Sequence, residues 1–531
     1  MRASLTKHLL FACTAAAVAG LTSSAGADVA GLEFTKIFET GEGAPGSGGM
    51  VFNGFQAPVI NDAGQIAFYG VYGQPDGTDL VTGIWASAGD TFNLAAAVGG
   101  IAPGTGDDFP YTGFAGQRVG LSDSGDIVFA ASIASGDAGA DRGIWSGPVN
   151  ALDLVAIEGQ NAPGVNLPFN NNLGVPVIGP SGIVAFDSAV EGDNGNGLNE
   201  PSYFLGTAGN LSALAIAGDD VVGEAGNTLY QGISTTLRVN SSGVAAFAAR
   251  LKGTSEPANP DAIFVGPAGG AAVLAAVGRT APGAGDGITF GAVRHPDLND
   301  EGQVAFVAGL DGIDGLDPTV GAAIYLGTSS ADLAPIALHG EEAVATPGLL
   351  YDTFATNVGP SINSEGEVAF MAWLSGGDFD SEDRDSVIIA GDPDNLRIVA
   401  REEVNLPVDF QLMSAPAIGD GGHVAFQTFD PNSGDFELWI ANLENTLFRV
   451  VGTGDDFEVA PGDIREVSTL IMGTGQDGYA FLNEDGMLAF TLGFADGSQG
   501  IFTSRLVAIP EPAAAGALVG AMGLLLRRRR K

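Results

Sequence analysis

The residues best suited to chemistry in this 531-residue chain are acids crowded into two short segments. Asp311, Asp314 and Asp317 stand in DGIDGLDP, and Asp378, Asp380, Glu382, Asp383 and Asp385 stand in DFDSEDRDS. Calcium takes six to eight oxygens from closely spaced carboxylates and carbonyls, and D-x-D-x-E at 378–382 supplies the first three positions of such a loop. The pattern then departs from a calcium loop. Asp383 stands where the sharp-turn glycine belongs, and Ile389 where a bidentate Glu belongs. The plainer reading is that these are solvated acidic loops on a rim, with Asp378, Asp380, Glu382, Asp311, Asp314 and Asp317 as the calcium candidates.

Other chemistries find less support. His295, His339 and His423 lie far apart, without metal-ligand spacing. The one cysteine, Cys13, falls in the N-terminal leader, so the body has no thiol nucleophile and no disulfide. There is no G-x-S-x-G elbow, no P-loop and no dinucleotide fingerprint. Paired carboxylates could hydrolyse or eliminate a glycoside, but among 63 acids no pair stands out. Trp85, Trp145, Trp373 and Trp439 could stack on sugars, yet all but Trp373, which sits just beyond the sixth phrase, share a strand position that Phe204, Phe264, Tyr325 and Phe502 fill elsewhere, which argues for core packing.

What must position any such site is a phrase written eight times between Asn61 and Phe490. It reads NDAGQIAF (61–68), SDSGDIVF (122–129), GPSGIVAF (179–186), NSSGVAAF (240–247), NDEGQVAF (299–306), NSEGEVAF (363–370), GDGGHVAF (419–426) and NEDGMLAF (483–490). A turn-forming residue followed three places on by Gly predicts a tight hairpin with the glycine at positive φ. An aliphatic residue precedes every turn, and three apolar residues ending in Phe follow the variable position. Such runs predict strands buried on both faces. The positions constant across the copies are Gly and Phe, which are packing residues. No invariant polar position marks a funnel site.

Three further segments recur around the phrase: a strand leading into the turn, a GIWAS-like strand, and an aliphatic run ending in Ala-Pro-Gly. Four strands in roughly sixty residues make a propeller blade. Residues 33–48 are the last of these segments standing alone before the first phrase, and the eighth repeat lacks it. A closed ring explains that displacement, because the N-terminal strand can complete the final blade. The expected fold is therefore an all-β propeller of eight four-stranded blades. A seven-bladed ring or a β-solenoid is the alternative.

The ends are read as addresses. Residues 1–27 carry Arg2 and Lys7, an apolar run (9–21) and Ala25-Gly26-Ala27 before Asp28, the pattern of a secretory leader cut between Ala27 and Asp28. Residues 28–507 are the propeller and 508–531 a separate tail, IPEPAAAGALVGAMGLLLRRRRK from Ile509. Formal net charge is −42, and without the two terminal segments 14 basic residues face 62 acids, about −48. Such a surface repels nucleic acid and keeps an exported protein in solution.

Pro510-Glu511-Pro512, fourteen apolar residues and Arg527, Arg528, Arg529 and Arg530 resemble the PEP-CTERM sorting signal of Gram-negative surface and matrix proteins. The resemblance implies processing by an exosortase-type membrane protease after transient inner-membrane anchoring through a short transmembrane helix. Delivery is then to the cell surface or exopolysaccharide matrix. The arginines would stay cytoplasmic by the positive-inside rule. The eight phrases resemble the tandem NxxGxxAF repeats of bacterial surface proteins. Ser122, Gly179 and Gly419 replace the Asn, a departure expected to cost little because Ser and Gly also suit turns. The expected function is a non-catalytic scaffold or binding and adhesion protein, with extracellular polysaccharide or surface proteins as partners. The competing expectation is a carbohydrate-active enzyme, glycosidase or lyase, with acids in the propeller funnel.

Overall fold

The computed structural model describes residues 29–508 except 90, 107–108, 135–140, 166, 191–201, 224–227, 253–259, 377–384, 403, 407–410, 413–414, 432 and 474–479. The leader with Ala27 and Asp28, the calcium candidates Asp378, Asp380 and Glu382, and the tail with Pro510, Glu511, Pro512 and Arg527 to Arg530 lie outside the described residues.

Each phrase sits where the sequence predicts. In the first blade the strands Val51–Phe55, Ile66–Gly73, Val81–Ala88 and Thr91–Ala97 pair in sequence order, with Val59–Ile60 leading into the turn. Seven further antiparallel sheets repeat this plan, so the chain forms an eight-bladed β-propeller. The phrase glycines Gly64, Gly125, Gly182, Gly243, Gly302, Gly366, Gly422 and Gly486 all have φ between 68° and 84°. A side chain is disfavoured there, which is why this position never varies.

The apolar run alternates between two neighbours. Ala67 packs into a core shared with the second blade, while Ile66 and Phe68 face a core shared with the last. Every interface between blades has such a core, including the one between blades eight and one. The phrase Phe stacks on the aromatic residue opposite it: Phe68 on Trp85 at 5.7 Å and 12°, Phe247 on Phe264 at 5.2 Å and 6°, Phe306 on Tyr325 at 5.6 Å and 15°. Trp85 and Trp145 are fully buried and Trp439 is 8% exposed, so these rings are core residues.

Two ties cross from blade to blade. The first explains the Ala-Pro-Gly segments. Trp85 Nε1 donates to Pro45 O at 3.0 Å, Trp145 Nε1 to Pro103 O at 2.9 Å and the Tyr325 hydroxyl to Pro282 O at 3.0 Å. A buried aromatic with a polar tip needs such a partner. The second is the phrase Asn. Its Oδ1 accepts its own turn's N–H, as Asn61 does from Gln65 at 2.8 Å, and its Nδ2 donates to the next turn's carbonyl. Asn61 thus reaches Ser122 O at 2.8 Å, Asn299 reaches Asn363 O and Asn363 reaches Gly419 O at 3.1 Å, and Asn483 closes the circle on Asn61 O at 3.2 Å.

Where this Asn is replaced, its amide tie is absent and other contacts take its place. At Gly179 an added Cβ would lie 2.7 Å from Val239 O, and at Gly419 2.7 Å from Asn483 O. Glycine lets the next blade's backbone occupy the space a side chain would take, and Ser181 Oγ then donates to Ser241 O at 2.8 Å. At the remaining such interface Asp123 N donates to Pro180 O at 3.2 Å.

The last blade is closed as expected. Its strands Asp463–Met472, Met487–Phe494 and Gln499–Ala508 take Val29–Glu39 as their outer strand, antiparallel from Val29 opposite Ala508 to Glu39 opposite Gly500, with register shifts between Val29 and Gly31 and between Lys36 and Phe38. Phe34 packs edge-on against Phe457 at 5.3 Å, and Phe38 lies 4.9 Å from Phe52 and 5.0 Å from Phe92. Arg505 pairs with Glu33 at 2.7 Å and Arg465 with Glu39 at 2.8 Å. Deleting residues 29–39 removes the half-buried Leu32, Phe34, Ile37 and Phe38, and is expected to cost on the order of 5 kcal/mol. Denaturant unfolding checks this, and a midpoint unchanged by the deletion would contradict the clasped ring.

Candidate functional site

The second residue of each phrase turn is the feature that sequence reading passed over. It is Asp62, Asp123, Pro180, Ser241, Asp300, Ser364, Asp420 and Glu484 in order, an acid in five of the eight copies. The turns join the first and second strands of every blade, and the first strands of successive blades contact one another around the axis. The five carboxylates therefore gather at one end of the ring.

Each acid with a resolved partner binds the turn before it. Asp62 Oδ1 accepts from Glu484 N at 3.0 Å, Asp123 Oδ1 from Asp62 N at 3.3 Å, Asp300 Oδ1 from Ser241 N at 2.8 Å and Asp420 Oδ1 from Ser364 N at 2.8 Å. Ser364 Oγ also donates to Asp420 Oδ2. Crowding changes the acidity of two members. A hydrogen bond with Asp420, then burial, then the charges of Asp62 and Asp420 push Glu484 up to about 8. Burial, then the neighbouring Asp62, push Asp123 up to about 6, and Asp300 adds to it from three blades away.

One cation balances the far side of this end. Arg238, 7% exposed, precedes the fourth turn, and its Nε donates to Asp297 Oδ1 at 2.7 Å. Asp297 Oδ2 accepts from Ile362 N at 3.1 Å, so one carboxylate ties blades four, five and six. The signal that could have found the acidic ring is a column holding acids in most copies, rather than one invariant residue.

The calcium candidates of the fifth blade are divided by the fold. Asp311 ends the strand Val304–Asp311, paired with Thr289. Asp314 and Asp317 line a cleft of about 330 Å³ between blades five and six, together with Leu316, Val320, His339 and Asp352. The Asp317 carboxylate already accepts from Thr319 N at 2.9 Å and Thr319 Oγ1 at 2.8 Å, which holds it below the usual range. His339 Nδ1 lies 2.5 Å from Asp352 O. His295 Nε2 contacts Thr356 O at 3.1 Å, and burial lowers His423, whose Nδ1 is buried without a hydrogen-bond partner among the described residues. Among the described residues no three His, Cys, Asp or Glu side chains are grouped so as to hold a metal ion. Among them, too, no helix is long and apolar enough to cross a membrane.

Residues 19–224 and 225–516 each match the model of one family, a family of unknown function (DUF7453). The chain belongs to the DUF7453 family. The junction between the two matches falls between the third and fourth blades of this DUF7453 protein. No curated protein matches it. Solved structures similar to the DUF7453 chain include an oligogalacturonate lyase in complex with manganese, at 14% identity over 76% of this chain and 96% of that one, with a TM-score of 0.38. The β-propeller domain of the Trilobed protease from Pyrococcus furiosus matches at 8% identity over 75% and 98%, TM-score 0.38. A polysaccharide lyase, ulvan lyase, matches at 9% identity over 74% and 92%, TM-score 0.34. Likeness at this level assigns no activity to the DUF7453 protein.

Replacing Arg238 by Met removes the Nε–H bond to the half-buried Asp297, an expected loss of about 1.5–3 kcal/mol in denaturant unfolding. Adding Asp297→Asn, which keeps an acceptor for Ile362 N–H, is expected to recover part of that loss. A double variant no more stable than Arg238→Met would contradict this account of the pair.

Proposed function

We propose that this is an exported, non-catalytic propeller of the cell surface or extracellular matrix, a scaffold whose variable loops bind polysaccharide or surface proteins. The observation that carries the reading is the employment of the central acids. Asp62, Asp123, Asp300 and Asp420 each accept a backbone N–H of the neighbouring blade, a structural duty that accounts for these carboxylates without a reaction. The leader at 1–27 and the Pro510-Glu511-Pro512 tail support export and sorting by an exosortase-type protease. The loops between second and third strands differ in length and charge from blade to blade, and they carry the acids that would take calcium.

One observation favours the enzyme reading. Glu484, held up to about 8 beside Asp420 and Asp62, has the acidity of a general acid in glycoside cleavage. A polysaccharide array with parallel assays for new reducing ends and unsaturated uronates, on the mature chain in calcium and in EDTA, separates the two. The scaffold reading expects saturable binding with no product, and unchanged binding in Glu484→Gln. Product formation abolished by Glu484→Gln would replace it with the enzyme, and binding lost only in EDTA would assign an ion to the acidic loops.

A further inference from the structure

In every other blade the third strand is followed directly by the fourth, as Val81–Ala88 is by Thr91–Ala97 in the first. In the last blade two separate segments stand in place of that hairpin. Ala508 ends the third strand, Val29 begins the fourth, and the two are register partners. Asp28, the first residue after the leader, adjoins Val29, and the tail with Pro510-Glu511-Pro512, fourteen apolar residues and four arginines follows Ala508 directly. Both terminal segments therefore join the ring at one point. Met487, which follows the eighth phrase turn, pairs with Arg505, and Arg505 pairs with Glu33, so this point lies at the phrase-turn end of the blade. The third and fourth strands are the outer ones, which sets it at the rim. The loops between second and third strands, with the cleft of Asp314, Asp317, His339 and Asp352, lie on the opposite face.

We propose that the paired ends of Val29–Glu39 and Gln499–Ala508 are the place at which this protein is held against a lipid bilayer, with the rim of the last blade at the membrane, its phrase-turn end toward the lipid and the loop face turned away.

The inference rests on the reading of 509–531 as a membrane-entering sorting segment, and the fold adds where that segment starts and how far it reaches. An extended chain covers at most about 3.6 Å per residue, so the steps from Ala508 to Ala513 keep the apolar run within roughly 18 Å of the clasp. The loop end of the blade is farther off. Gln499–Ala508 is a strand of 10 residues. At a rise of about 3.4 Å per residue its far end stands roughly 30 Å from the exit. A ring lying with its loops on the bilayer would hold the exit too high for the tail to reach the lipid. Charge then limits contact on the phrase-turn face. Asp62, Asp123, Asp300, Asp420 and Glu484 gather there at the axis, and an anionic bilayer repels them, so the ring meets the lipid at the rim of the last blade rather than across the whole face. The acidic loops and the cleft are left open to the medium.

Cys13 belongs to the leader, so in the mature chain a single introduced cysteine takes one fluorophore. The test reconstitutes the mature chain, tail uncut, into vesicles of phosphatidylethanolamine and phosphatidylglycerol, and quenches the dye with lipids carrying a nitroxide on the headgroup. The labelled positions are all exposed. A dye at Glu33→Cys, beside the exit, is expected to lose most of its emission. Dyes at Ala495→Cys, at the loop end of the same blade, and at Ala268→Cys, between Asp261–Gly266 and Ala272–Ala276 of the fourth blade across the ring, are expected to keep theirs. If loss of the Arg505 pair unfolds Glu33→Cys, the exposed Thr35→Cys takes its place. Quenching at Ala495 equal to that at Glu33 would overturn the orientation, and equal quenching at Ala268 would overturn attachment by the rim. Flotation separates these failures from failure of the sorting reading. A chain that does not float with the vesicles, or that still floats after deletion of 513–531, would remove the tail as anchor and the proposal with it, whereas a floating chain with the wrong quenching pattern overturns the proposal alone.

Discussion

A sheet that is apolar on both faces cannot end a stack, because its outer face would meet water. Every blade here is such a sheet: Ala67 points into one core while Ile66 and Phe68 point into another, and the same division recurs around the ring. Closure is the only arrangement that buries all sixteen faces, and it fails if one blade lacks its outer strand. The pairing of Val29–Glu39 with Gln499–Ala508 is thus the contact on which the others depend. It joins residues more than 450 positions apart in sequence, so chain entropy opposes it until the preceding blades are in place.

Once the ring is closed, the phrase turn does two further things. Its first residue rivets neighbouring blades through an Asn amide, or through direct backbone approach where glycine stands at Gly179 and Gly419. Its second residue places carboxylates at the axis, where they cap the neighbouring turn's N–H and crowd one another. A protein with a large net negative charge thereby concentrates some of it where repulsion works against the ring. The opposing arrangement is Arg238 with Asp297, which supplies a buried cation on the side away from the seam.

Most of the architecture was legible because it is local and periodic. The turn glycines, the aliphatic residue before each turn, the buried aromatic slot of Trp85 and Trp145 and the displaced N-terminal strand all repeat at a fixed spacing, and repetition reports the backbone directly. What was not legible involves partners a full repeat away. Nothing in NDAG tells that Asn61 bonds the carbonyl of Ser122, nor in Ala-Pro-Gly that Pro103 receives an indole N–H from Trp145. The acidic ring was missed because the second turn position is variable, and variability hides a charge that five of eight copies share. The calcium candidates Asp311, Asp314 and Asp317 were grouped by spacing, whereas the fold sends Asp311 to a strand end and sets Asp314 and Asp317 beside His339 and Asp352 of other strands.

Native-state hydrogen exchange across the whole ring tests closure most directly. A closed ring opens as one unit, so slow amides in the clasp (Phe34, Lys36), in the first blade (Ala67) and in the fourth (Phe247) are expected to share one opening free energy, with one dependence on denaturant. A linear stack instead unfolds by nearest-neighbour steps from its ends. Clasp amides that open at markedly lower free energy than those of the fourth blade, with the first and eighth blades following in order, would contradict the account.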